Sequence, residues 1–305
     1  MAKGIKESTV GDVTIERFAQ GKANRGKVLA AVQAHADDVP LFCAGTIAKL
    51  LDEGYTGYLI QMTNDEKCGP SSSLGETIRS NERDIDKLVE VLGFKKVFHL
   101  GYRNHRLDEA SPTELRARLI FLFRYLKVDT VLTFNPWGHS EENPDHYVTG
   151  QAVEAARWMA GMAKDYPEQV AAGIQPHTVT EQYYWAIRPG QPCNRVVDVS
   201  AHIDHKIAAM STNKSQGPAG CHGSRLKEKL ARQGLHLPDL GNDDETADRA
   251  YIRMFGLRDF EKLGQQYGLN YAEGFYYMPP GGTFTGCVDP ATGEQYVAAN
   301  ALPIE

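Results

Sequence analysis

The sequence predicts an α/β protein built on a mainly parallel sheet with helices on both faces. Two observations predict it. Apolar strand-like runs alternate with helix-like segments through the first two thirds of the chain, at a repeat of about 25–35 residues, the spacing of βαβ units. The 305 residues are 42% hydrophobic and 24% charged, which suits a globular chain with a sizeable core and excludes a disordered, collagen-like or coiled-coil chain.

Lys27–Ala34 (KVLAAVQA) is an apolar run bounded by Gly26 and a polar cluster, and reads as a buried strand. Leu41–Glu53 has apolar residues at helical spacing and stops at Gly54, a C-cap signal. Thr56–Thr63 is the next strand, and residues 64–75 form a polar loop rich in Gly, Ser and Pro. Glu76–Leu92 is a long amphipathic helix ending at Gly93, and Lys96–Leu100 is a third strand. Thr113–Leu126 is a helix introduced by Ser111 as cap and Pro112 in the first turn. Asp129–Phe134 is a strand, His146–Met162 a helix, and Gln182–Ile187 and Arg195–Val199 two more strands.

Residues 201–305 differ. Ala201–Asn213 reads as a helix, 214–250 is rich in Gly, Pro and charge, a short helix lies near Leu257–Tyr267, and strand-like pieces fall at Gly274–Met278 and Gln295–Ala299. The expectation is a Rossmann-like core over 1–200 with a C-terminal extension or cap over 201–305, packed as one integrated domain. In such sheets the active site lies beyond the carboxyl ends of the strands. The loops after Ala34, Thr63 and Phe134 therefore matter most.

Net charge is −6, the wrong sign for a dedicated nucleic-acid binder. No apolar run reaches the roughly 18–20 residues of a membrane span, and no apolar leader is seen in MAKGIKESTVGDVTIERF. Cys43, Cys68, Cys193, Cys221 and Cys287 are odd in number and contain no CxxC, so they read as free thiols in a reducing cytoplasm. The missing GxGxxG and GxSxG motifs argue against dinucleotide binding and against a serine hydrolase. The expected partner is a small molecule or glycan, with a homo-oligomer left open.

The chemistry concentrates in two loops. His35-Ala36-Asp37-Asp38 follows the first strand directly, and adjacent carboxylates repel unless a cation or a base role accounts for them. The loop after the fourth strand carries His139, Glu141, Glu142, Asn143, Asp145 and His146 just before a helix. Imidazole nitrogen and carboxylate oxygen are good zinc ligands, and a catalytic zinc takes three protein groups. The assignment is His35, Asp38 and His146 on the metal, zinc or another divalent ion. Asp37 then takes the proton of a water activated there. Asp38 also reads as a helix N-cap, and His146 as a structural histidine.

These residues resemble the LmbE-like (PIG-L type) zinc-dependent N-acetyl-sugar deacetylase family. The family's AHPDD motif stands as Ala34-His35-Ala36-Asp37-Asp38, its small-residue helix start as Cys43-Ala44-Gly45-Thr46, and its Arg-x-x-Glu as Arg79-Ser80-Asn81-Glu82. Its Leu-Gly turn is Leu100-Gly101, and its HPDH motif is Asn143-Pro144-Asp145-His146. Lys214-Ser215-Gln216 and Tyr271-Ala272-Glu273-Gly274-Phe275 are similar to its late segments, so the likeness runs over about residues 27–278. The resemblance implies a Rossmann-like fold, one zinc, and removal of acetyl from an N-acetylglucosamine-type sugar or conjugate. It implies His35, Asp38 and His146 as ligands, Asp37 as general base and Arg79 as a substrate-binding residue.

Four positions depart from the family. Ala36 replaces the Pro of AHPDD, Lys214 replaces a His, and Asn104 stands for a substrate-pocket Asp. Asn143 replaces the first His of HPDH. It can donate a hydrogen bond to an oxyanion but no proton, which leaves the acid role to His139 or His105. Asn104 and Asn143 keep open a hydrolase of non-sugar N-acyl amides, and a non-catalytic metal- or ligand-binding protein is the other alternative. Trp137 reads as a sugar-stacking or a packing residue, Cys68 as a surface thiol, and Arg79 equally as a helix ion-pair partner. His202 and His205, at i, i+3 spacing, read as part of a solvated helix face with Asp204 and Lys206 rather than as a second metal site.

Overall fold

The computed structural model describes residues 6–186, 188–217, 220–280 and 290–303. The first half runs β1 (Lys6–Val10), β2 (Val13–Arg17), β3 (Val28–Gln33), α1 (Asp38–Phe42), α2 (Ala44–Asp52), β4 (Thr56–Thr63), α3 (Leu74–Leu92), β5 (Lys96–Tyr102), α4 (Pro112–Leu126) and β6 (Thr130–Phe134). The second runs α5 (Pro144–Met159), α6 (Pro167–Ala171), β7 (Glu181–Trp185), β8 (Arg195–Asp198), α7 (Ile203–Thr212), α8 (His222–Arg232), α9 (Asp244–Tyr251), α10 (Arg258–Gln266), β9 (Ala272–Met278) and α11 (Pro290–Asn300).

One nine-stranded sheet has the order β1-β2-β8-β9-β7-β6-β3-β4-β5. The chain builds β3, β4 and β5 outward in parallel, then returns to lay β6 on the other side of β3 and β7 beside it. The strand order therefore reverses between β3 and β6, the switch point where ligands bind in doubly wound sheets. Both faces of the central strands are covered. Leu29, Ala31, Leu59 and Leu132 pack with Ile47, Ile85 and Leu88 on one side. Ala30, Val32, Ile60 and Val131 pack with Leu119, Phe123, Val153 and Ala156 on the other. This double burial explains the near-continuous apolar runs of β3 and β6.

The structure departs from the sequence expectations in several places. The expected helix Leu41–Glu53 is two helices that meet at Cys43. The break is stabilised from the far end of the chain. Glu273 of β9 accepts the N–H groups of Gly45 and Thr46, and Lys206 Nζ bonds to Leu41 O and, at 2.7 Å, to Glu273. Lys206 is thus fully buried rather than on a solvated face. Residues 6–17 form a hairpin that the sequence reading did not anticipate, with β2 parallel to β8. The piece at Gly274–Met278 is the strand β9, inserted antiparallel between β7 and β8. Gln295–Ala299 lies in the helix α11, not in a strand. Ile187 and Cys287 lie outside the described residues; the strand expected to end at Ile187 is Glu181–Trp185.

Candidate metal centre

Each element of the centre has a local cause. β3 ends at the sheet's carboxyl edge, and His35 to Asp38 turn directly into α1. Asp38 does not cap the helix. Its Oδ2 folds back to accept the N–H groups of Ala34 at 2.9 Å and His35 at 2.7 Å, which leaves Oδ1 free. On the other side of the switch point, Asn143 caps α5 by accepting from Asp145 N at 3.0 Å, with Pro144 in the first turn. Gly150 lets α5 press close to its strand, since a Cβ there would stand 2.9 Å from Phe134 O. The Phe134 ring stacks on His146 at 4.2 Å and fixes its plane.

The two loops meet. His35 Nδ1 lies 3.1 Å from His146 Nε2, and Asp38 Oδ1 lies 3.5 Å from the same nitrogen. His35, Asp38 and His146 are buried and offer ligand atoms within 4.8 Å of one another. Ligands about 2.0–2.1 Å from a tetrahedral zinc stand about 3.3–3.4 Å apart, so two imidazoles and a carboxylate at these separations fit a zinc-like ion.

The outer ring nitrogens of the two imidazoles each face a carboxylate. His35 Nε2 donates to Asp145 Oδ2 at 3.0 Å, a tautomer assigned from its partners that leaves Nδ1 facing the centre. Asp145 also accepts from the backbone N–H groups of His105 and Leu107, the first brought round by a left-handed φ of 57°. His146 Nδ1 faces Glu141 Oε1 at 3.2 Å, and Arg188 holds Glu141 from behind.

The electrostatics favour a cation. Burial opposes the imidazolium of His35, yet Asp145, Asp38, Asp65 and Asp37 outweigh it and push its pKa up to about 9. Burial alone would raise Asp145 and Glu141, but hydrogen bonds from His35 and from His146 and Arg188 respectively outweigh it; Asp145 is held low and Glu141 falls to about 2. Asp37 feels the charges of Asp38, His35 and His146, and among the described residues no other residue donates to its carboxylate. Burial, and then the charge of Asp38, push Asp37 up to about 6.

The other expected site residues are spread more widely. Asn143 Nδ2 lies 3.4 Å from His146 Nε2. Asn104 is fully buried, with Oδ1 accepting from Cys68 Sγ and Nδ2 3.5 Å from Asp145. The His105 ring stands 6.1 Å from that of His35, whereas His139 is exposed and has no described ring contact with the centre. Arg79 is exposed on α3 and makes no ion pair among the described residues, so neither Glu82 nor Glu76 holds it. Trp137 is 58% exposed, its indole held edge-on by Tyr184 and Tyr276. Away from the centre, His202 faces Asp52 at 3.3 Å, and it forms no metal-ligand group with His205 among the described residues.

Three supporting residues escaped the sequence reading. Asp145 and Glu141 sit in the carboxylate-rich loop already singled out, so composition marked the loop without showing which acid backs which histidine. Asp65 gave no local signal. It is buried, has a left-handed φ of 52°, and accepts from Ala36 N at 3.1 Å and from Gln61 Nε2 at 2.9 Å.

Residues 30–157 match the family model PIG-L: GlcNAc-PI de-N-acetylase. Over 202 residues it is 27% identical to diacetylchitobiose deacetylase of Thermococcus kodakarensis, an alignment spanning 64% of this chain and 72% of that protein. Among solved structures, N,N'-diacetylchitobiose deacetylase of Pyrococcus horikoshii superposes with a TM-score of 0.66 at 23% identity, covering 83% of this chain and 84% of the other. The 4-carboxy-2-hydroxymuconate hydratase GalB of Pseudomonas putida KT2440 superposes with 0.61 at 17% identity, covering 86% and 100%. A deacetylase and a hydratase share this fold, so the reaction must be argued from the site.

Proposed function

We propose that the chain is a metal-dependent N-deacetylase of N-acetylglucosamine-type sugars or sugar conjugates, with zinc as the ion. The observation that carries this is the convergence of His35 Nδ1, Asp38 Oδ1 and His146 Nε2 beside Asp37, a carboxylate to which no other described residue donates. A divalent ion held by those three atoms supplies Lewis acidity and lowers the pKa of a water from 15.7 to about 7.

The chain's own residues do the rest. Asp37, raised towards neutrality by burial and Asp38, accepts the proton of the attacking water. Asn143 Nδ2, anchored by the capping bond of its Oδ1, donates to the carbonyl oxygen as negative charge develops on it. The C–N bond breaks, acetate leaves, and the amine takes up a proton. Burial holds the His105 imidazole below the ordinary 6.5, and its ring stands near His35, so it suits proton return better than His139, which is exposed and has no described ring contact with the centre. Arg79 and Trp137 serve the polar and aromatic rim, with Asn104 behind it. The family match and the sugar deacetylase among the relatives support the substrate class.

The test is acetate release from a panel of N-acetyl sugars and simple N-acyl amines, before and after chelation. Turnover of sugars that is lost with metal and restored by zinc is expected. One observation favours the second reading, a non-sugar amide. Asn104 is fully buried and engaged by Asp145 and Cys68 rather than open to a sugar hydroxyl. Turnover confined to the simple amides would establish it, and a protein without stoichiometric metal would favour a binding role. We also read the core and C-terminal segment as one integrated unit, because β9 lies inside the sheet. Among the described residues no helix is long and apolar enough to cross a membrane, and four cysteines are unpaired, which supports a cytoplasmic setting. Sedimentation would test for a homo-oligomer.

A further inference from the structure

Two of the chain's three tryptophans are largely exposed, Trp137 at 58% and Trp158 at 61%, while Trp185 is fully buried. The exposed pair lines a single open groove of about 560 Å³, completed by Pro136, Gln151, Glu154 and Arg157. Gln151, Glu154 and Trp158 recur at helical spacing, so they share one face of α5. Trp137 comes from the loop after β6, the same loop that leads through Asn143 to His146. The groove and the metal centre thus share one loop and one helix. At 1.5 Å per residue, Trp158 lies about 18 Å along the helix from His146.

Its walls are prepared rather than loose. Tyr184 and Tyr276 hold the Trp137 indole edge-on at 6.0 and 5.5 Å. Tyr184 donates its hydroxyl to Glu154, and Arg157 Nη2 pairs with the same carboxylate at 2.8 Å. The Gln151 side chain is exposed and has no described protein partner. Large aromatic faces with fixed planar polar groups between them match a ligand that has apolar C–H faces and hydroxyls at its edge. A purely apolar partner would leave Gln151 and the Glu154–Arg157 pair desolvated without compensation.

We infer that the Trp137–Trp158 groove is an accessory saccharide-binding site that holds the distal sugar units of an extended glycan or glycoconjugate while its N-acetyl group lies at the metal centre. The inference rests on the sugar-deacetylase reading and makes the substrate elongated rather than a monosaccharide. No covalent step occurs there.

The experiment uses β-linked N-acetylglucosamine oligomers from one to five units with the full chain and Trp158→Ala. The ratio of pentamer to monomer kcat/KM should fall about tenfold in Trp158→Ala, carried by KM, and recover in Trp158→Phe. An unchanged ratio with sugars still turned over would overturn the groove alone. Quenching of tryptophan fluorescence by the pentamer in metal-free protein provides a readout independent of turnover, and the quench should weaken in Trp158→Ala. If no N-acetyl sugar is turned over, the functional reading fails while the fluorescence titration still decides the groove. A Trp158→Ala protein that changes its oligomeric state without changing saccharide binding would overturn the proposal in favour of a self-association face.

Discussion

Asp65 Oδ2 accepts the backbone N–H of Ala36 at 3.1 Å, a bond that a proline at position 36 could not make. Asp65 also takes the amide of Gln61, whose Oε1 accepts from Gln33, and Gln33 in turn accepts from Val39 N on α1. This buried chain holds the turn between the strand and the two aspartates. Asp65→Ala leaves the Ala36 N–H without an acceptor and should cost about 1–3 kcal/mol in urea unfolding. The cost should shrink when Ala36→Pro removes the donor. Equal costs in both backgrounds would show that the two residues are not coupled.

Asp37→Asn should keep its metal yet lose activity by about 10²-fold or more, because an amide cannot take the proton. Burial and Asp38 raise the Asp37 pKa above the ordinary 3.8. The acidic limb of kcat/KM should therefore lie above that value in the native protein. Normal turnover by the variant would remove Asp37 from the base role.

His146→Ala should drop metal content well below one equivalent by elemental analysis. Glu141→Gln should weaken affinity more modestly, by about 10–100-fold, because it removes the carboxylate facing Nδ1 rather than a ligand. Full occupancy in His146→Ala would take that imidazole out of the ligand set.

Far from the centre, Glu16 is buried between Lys49 and Arg195, each 2.7 Å away. Burial alone would raise its pKa, but the two cations outweigh it and hold it below 4.5. A carboxylate depressed in the folded state contributes stability that is present above its unfolded pKa and lost as pH falls through the folded one. Urea midpoints should therefore fall as pH drops below about 4.5, and Glu16→Gln should lessen that dependence. At neutral pH the same variant should cost about 3–5 kcal/mol, since two buried cations lose a counter-charge. A Glu16→Gln protein with wild-type stability at pH 7 would refute this account.

Order along the chain determined much of this protein. The apolar runs of β3 and β6, the Asn143–Pro144 helix start and the acids beside His35 and His146 are local features, and local features are written in sequence. They sufficed to name the α/β class and to single out His35, Asp38 and His146, whose ligand atoms converge. Long-range pairing was decided only by tertiary structure. The insertion of β9 between β7 and β8, the splitting of one helix at Cys43 by Glu273 and Lys206, and the reach of Asp65 to Ala36 each join residues distant in the chain. Such contacts depend on where the backbone brings buried polar groups together. Their partners are chosen by the need to satisfy every hydrogen bond away from water, and a one-dimensional pattern does not encode that need.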